Sequence, residues 1–140
     1  MHVGGTFGGS GARDIDGSGK VLAPGFIDIH THYDPQLCWD GAARPCLEHG
    51  VTTIVTGNCS LSVAPVRNKH DAERMVDMFY TIEDLKPVTF EDGVPFEKWE
   101  SFGEWLDFLR PNLTVNLAPL VGHSAIRLYV MVTPQAICRS

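Results

Sequence analysis

Three short groups of residues in this 140-residue chain carry side chains able to do chemistry. The first is His30-Thr31-His32, at the end of the apolar run Phe26-Ile27-Asp28-Ile29-His30. On a strand, side chains alternate faces, so His30 and His32 point the same way, about 6–7 Å apart along the strand. Two imidazoles so placed can close on one metal ion, with bonds of about 2.0–2.1 Å for zinc. Asp34 follows two residues later and is suited to holding a ligand imidazole or a water. The second group is Gly57-Asn58-Cys59, at the end of the β-branched run Val51-Thr52-Thr53-Ile54-Val55-Thr56. Neighbouring parallel strands lie about 4.8 Å apart, so Cys59 can reach the same ion. A thiolate combined with imidazoles favours zinc over magnesium or calcium. The third is Gly122-His123, after a further apolar stretch; His123 can ligate, bind substrate or orient another group, and Arg127 can hold a carboxylate as a bidentate fork. Each group alone has a plainer reading: a polar strand end, a packed thiol, a solvated arginine. Their recurrence at the carboxyl ends of three successive strands is what argues for a shared site, because sites in parallel α/β folds sit at that edge. His2, His49 and His70 have no such placement and read as surface residues.

The elements that must position these groups follow from local patterning. Residues 20–23 can form a short strand before the Pro24-Gly25 turn signal. The run at 26–30 fits a buried strand, and residues 41–49 suit a helix closed by Gly50, with Pro45 within its first turn or forcing a later start. The run at 51–56 reads as a second strand. Strand, helix and strand make a βαβ unit, which implies a parallel sheet. Apolar Met75, Met78 and Phe79 have helical spacing within residues 71–80. Residues 83–97 are turn-rich and acidic and read as a surface excursion. Ser101 and Glu104 have capping-box spacing ahead of a helix over 102–109, which Pro111-Asn112 breaks. Residues 113–121 read as a third strand. The class is α/β, and the order fits an incomplete (β/α)8 barrel or a doubly wound sheet equally well.

Composition narrows the partners. The net charge of −6 lacks the basic face that nucleic acid needs, and nothing points to an anionic membrane. No apolar run approaches the roughly 18 residues of a spanning helix. The glycine-rich start has neither the charged nor the apolar region of a signal peptide, so a cytoplasmic chain with reduced Cys38, Cys46, Cys59 and Cys138 is expected. There is no Gly-x-Ser-x-Gly elbow and no phosphate-binding loop between a strand and a helix.

The motifs also carry a resemblance. "LAPGFIDIHTHYD", residues 22–34, looks like the opening barrel strand of the amidohydrolase superfamily. "HGVTTIVTGNCSLSVAPV", residues 49–66, resembles the N-acyl-D-amino-acid deacylase (D-aminoacylase) group, as do "WESFGEWLDFL" at 99–109 and "LVGHSAIRLYVM" at 120–131. After Met131 the sequence "VTPQAICRS" departs from the pattern. The resemblance implies a zinc enzyme, with one or two ions, that hydrolyses the amide of N-acyl-D-amino acids by lowering the pKa of a water and polarising the carbonyl. It implies that His30 and His32 are the first ligand pair, that Cys59 is the ligating cysteine of this group, and that His123 lies near substrate. It further implies that the remaining ligands and the general base lie beyond residue 140. Residues 1–23 would then be a remnant of a small flanking β domain and residues 24–140 the first three strands of the barrel. Such a piece would be inactive alone and prone to self-association through exposed strand edges. The alternatives are a non-catalytic metal-binding or structural protein, and a dihydropyrimidinase- or dihydroorotase-like amidohydrolase; Cys59 speaks against the latter.

Overall fold

The computed structural model describes residues 3, 4, 8, 9 and 11–131; His2, Cys138 and the rest of 132–140 lie outside the described residues. Three parallel strands form one sheet in the sequential order β1 (Phe26–Asp28), β2 (Val51–Thr56), β3 (Asn116–Pro119). The β-branched run forms β2 as its pattern requires, and β2 is central, with Ile54 buried and paired to Asp28 on one side and Leu117 on the other. The first and third strands are shorter than the apolar runs at 26–30 and 113–121. Both are edge strands, and β1 is bare on both faces: Phe26 and Ile27 are 70% and 63% exposed, and Ile29 just beyond it is 73% exposed. The expected strand at 20–23 is not formed. Val21 and Leu22 are exposed, and Lys20 N–H closes only a local turn onto Gly17 O.

The helix expected over 41–49 is replaced by turns and a single 3-10 turn, Leu47–His49. The physical reason is Asp40, whose carboxylate accepts the N–H groups of Ala42 (3.2 Å) and Arg44 (2.9 Å) and draws the backbone into a side-chain-closed turn. Gly50 nevertheless ends the 3-10 turn in the left-handed conformation, φ 88°.

Helix α1 (Lys69–Glu83) starts at Asn68, whose side chain accepts Asp71 N–H, and buries Ala72, Met75 and Phe79 along one stripe. The stretch read as a surface excursion instead contains helix α2 (Pro87–Gly93), which sends Phe90 into the core against Phe79, with Val94 buried behind it. Helix α3 (Phe102–Leu109) opens on the expected capping box, with both reciprocal bonds of Ser101 and Glu104 formed, and buries Trp105 and Leu109. Trp99 packs between Phe96 and Phe108 and donates Nε1–H to Val63 O at 3.0 Å. A fourth helix, α4 (His123–Val130), follows β3 and was not legible in the periodicity. Arg67 ties it down: Nε meets Asp71 at 2.9 Å, Nη2 donates to Leu128 O at 2.8 Å and Met131 O at 3.3 Å, and the guanidinium lies 5.8 Å from the Tyr129 ring centre. Among the described residues no helix is long and apolar enough to cross a membrane.

Candidate metal centre

The carboxyl ends of β1 and β2 bring His30, His32 and Cys59 to one place. One ligand atom from each lies within 4.8 Å of the others. Cys59 Sγ is 3.3 Å from His30 Nε2, and the two imidazole rings are 5.4 Å apart, edge to face. Both histidines lie just past β1, and pairing with β2 continues there through Thr31. Its N–H and hydroxyl both donate to Val55 O, at 3.1 and 2.8 Å. Thr31 is buried, so the anchored residue fixes the backbone between the two imidazoles.

Cys59 is aimed by an unusual loop. Gly57 leaves β2 with φ 81°, and Cys59 and Ser60 follow with φ 52° and 69°. A non-glycine residue in the left-handed region costs about 1–3 kcal/mol and persists only where its surroundings impose it. Here they do. Asn58 Nδ2 donates to Val55 O (3.1 Å) and Thr31 O (3.4 Å), binding the loop to the His-x-His segment. On the other side, Gly122 N–H donates to Ser62 Oγ, and a methyl group on Gly122 would press on the carbonyl of Ser60.

Asp34 is fully buried, and its carboxylate holds no imidazole. Oδ2 accepts Gly57 N–H at 3.2 Å, so Asp34 clamps the loop that carries Cys59. Burial pushes its carboxyl up to about 7, with the Gly57 N–H working in the opposite direction. The carboxylate beside a histidine of this cluster is Glu83, at the end of α1: Oε1 lies 3.3 Å from His32 Nε2. Sequence reading missed Glu83 because nothing in local spacing links it to a residue 51 positions earlier. His123 opens α4 and is exposed, outside the His30–His32–Cys59 cluster; Arg127, one turn on, is exposed and forms no ion pair among the described residues. His49 and His70 are exposed, as expected of surface residues.

The donor set fits a metal. His32 Nδ1 is buried without a partner, which is costly unless a lone pair there has a use. Two imidazoles and a thiol form a borderline-soft set of the kind that binds zinc. The thiols differ in environment. Cys59 is exposed, whereas burial pushes the Cys38 thiol up to about 12. In a Cys138→Ser background at pH 8, Ellman's reagent is therefore expected to modify Cys59 first and Cys38 last, with zinc slowing only the Cys59 phase. Cys38 reacting as fast as Cys59, or a Cys59 phase indifferent to zinc, would contradict this arrangement.

The profile of the Amidohydrolase family matches residues 13–136. A D-aminoacylase of Alcaligenes xylosoxydans xylosoxydans is 39% identical over 118 residues, covering 84% of this chain and 22% of the relative. A solved D-aminoacylase, studied for its binuclear metal centre, superposes with a TM-score of 0.57 at 36% identity, over 77% of this chain and 20% of that one. An N-acyl-D-glutamate deacylase from Bordetella bronchiseptica, solved with zinc and a phosphonate inhibitor, superposes with a TM-score of 0.55 at 30% identity, over 86% and 23%. The chain thus spans about a fifth of the length of the relatives it matches. With its motifs in order, its three parallel strands and its donor cluster at their carboxyl ends, this chain belongs to the amidohydrolase family.

Proposed function

We propose that this chain supplies the first three strands and the first metal ligands of a zinc-dependent hydrolase acting on the amide of N-acyl-D-amino acids. The carrying observation is the convergence of His30, His32 and Cys59 ligand atoms within 4.8 Å. Residues 24–140 form the start of a (β/α)8 barrel in this reading, supported by a parallel sheet whose spatial order follows the chain, and residues 1–23 are the remnant of a flanking β domain. Zinc bound there supplies Lewis acidity that lowers the pKa of water and polarises an amide carbonyl. The chain's own residues do the positioning: Thr31 fixes the imidazoles to β2, and Asp34 and Asn58 hold the Cys59 loop; in this reading His123 lies near the substrate and Arg127 binds its carboxylate.

Three ligands without the rest of a barrel give a weak site, and no general base is assigned among residues 1–140. Chelator competition at neutral pH is expected to give one zinc per chain in the micromolar range, with no turnover of N-acetyl-D-amino acids above background. Self-association through the edges of β1 and β3 is expected in size-exclusion chromatography. No zinc binding at all would remove the metal centre, and a monomer hydrolysing substrate in a His30-dependent way would show that a complete site fits within these residues.

A further inference from the structure

Cys59 stands on a loop whose backbone its own residues do not favour. Cys59 and Ser60 are both left-handed, at φ 52° and 69°, a state that non-glycine residues keep only where neighbours impose it. From the β1 side the loop is held by Asp34 and Asn58. From the β3 side it is covered by the segment that leads into α4. Leu120 N–H donates to Thr56 O at 2.9 Å, and Gly122 lies so close to the loop that a methyl group there would fall 2.5 Å from Ser60 O. The two segments are joined at Ser62, whose side chain is fully buried. Its Oγ donates to Ala64 O at 2.6 Å and accepts Gly122 N–H at 3.2 Å, so its one proton and a lone pair are both committed. Leu61 and Val63, on either side, are core residues and fix its backbone. No side-chain cap holds the start of α4, which leaves the Gly122–Ser62 bond as its tie to the chain just after Cys59.

We propose that Ser62 is a positioning residue of the metal centre: by binding Gly122 N–H it seats the start of α4 against the Asn58–Ser60 turn, holds Cys59 in the conformation that meets the imidazoles, and so couples zinc binding to the docking of α4. The inference rests on the metal-centre reading above and adds to it the contact through which a helix carrying none of the three ligands supports one of them. Such coupling is reciprocal: the factor by which docked α4 raises zinc affinity is the factor by which zinc favours docking. Docked and released α4 are the two states that both events bias.

The test uses the full chain and needs no catalysis. Arg127 lies within α4, so trypsin cuts after it only when the helix is released, whereas exposed Arg13, outside any helix or strand, is an internal control. In wild type, saturating zinc is expected to slow cleavage after Arg127 about 10-fold, in the lower part of the range for coupling between sites, and to leave cleavage after Arg13 unchanged. In Ser62→Ala the zinc effect at Arg127 should vanish, and zinc affinity by chelator competition should fall by the same factor. A Ser62 that merely supports the fold would let Arg127 be cut faster yet leave both the zinc effect and the affinity in place, and that result overturns the proposal. Should Ser62→Ala not fold, Ile126→Gly decides. It loosens α4 from an exposed position, touches neither Ser62 nor a ligand, and by linkage lowers zinc affinity. Faster cleavage after Arg127 in that variant with wild-type zinc affinity overturns the proposal equally. A wild-type chain that binds no zinc overturns the metal centre and this proposal with it, whereas one that binds zinc with no change in cleavage after Arg127 overturns the coupling alone.

Discussion

Cys59→Ala is expected to lower the zinc affinity of the chain by more than about 100-fold, the upper end of what loss of an outer-shell partner alone produces. The thiol is the only soft donor in the cluster, and its Sγ already lies 3.3 Å from His30 Nε2, so no side-chain search precedes ligation. Two imidazoles flanking Thr31 would remain, a pair too few to hold zinc in competition with a chelator. Cys59→Gly separates ligation from backbone cost. It should lose the same affinity, yet leave metal-free protein about 1 kcal/mol more stable than Cys59→Ala, because φ 52° is open to glycine and strained for alanine. Denaturant melts of the two variants alongside the competition assay measure both quantities. Zinc affinity surviving either substitution would remove Cys59 from the ligand set.

Gly57→Ala should be the most damaging small change. At φ 81° an alanine is strained by about 1–2 kcal/mol, and its methyl group would collide with the backbone carbonyl of Leu120 in the segment after β3. Neither partner can yield cheaply. Gly57 N–H is held by the buried Asp34, and Leu120 N–H donates to Thr56 O at 2.9 Å. We expect a loss of at least about 2 kcal/mol of stability, within the range for strain at a special backbone position, together with weakened zinc binding as the Cys59 loop shifts. Urea melts and the same chelator assay report the two effects. A Gly57→Ala protein with wild-type midpoint and affinity would mean that the loop is not fixed as described.

The parts of the fold that were legible in the sequence are those set by neighbours in the chain. The β-branched run at 51–56 forms β2 over the same residues, and Ser101 with Glu104 forms the capping box of α3. Gly50 takes the positive φ expected of a closing glycine. What failed depended on a competitor or a distant partner. Asp40 takes the backbone N–H groups that a helix over 41–49 would have used. Residues 83–97 read as a turn-rich surface excursion, but Pro87 is well suited to the first turn of a helix, and the apolar Phe90 and Val94 found the core behind it. At the candidate site the donors were legible by type and spacing, although β1 stops at Asp28 and the alternation that placed His30 and His32 together is carried instead by Thr31 bonding to Val55. The supporting groups were not legible: Asp34 turned out to serve a backbone amide, and Glu83 arrives from the end of a helix.

Arg67 gives α4 an unusual kind of hold. Of the eight residues of α4 only Ala125 is buried, so little apolar area keeps the helix in place. Its last turn is closed instead by one guanidinium that donates to the carbonyls of Leu128 and Met131 while gripping Asp71 at the start of α1. Opening of α4 is then a local unfolding event whose free energy depends on a polar latch and sits well below that of the Trp105–Phe79 core. Amide exchange would accordingly separate a slow interior from a faster α4. That latched helix begins at His123, includes Arg127 and packs against the Asn58–Ser60 turn, so the two residues proposed to meet substrate and the loop that carries Cys59 share one support.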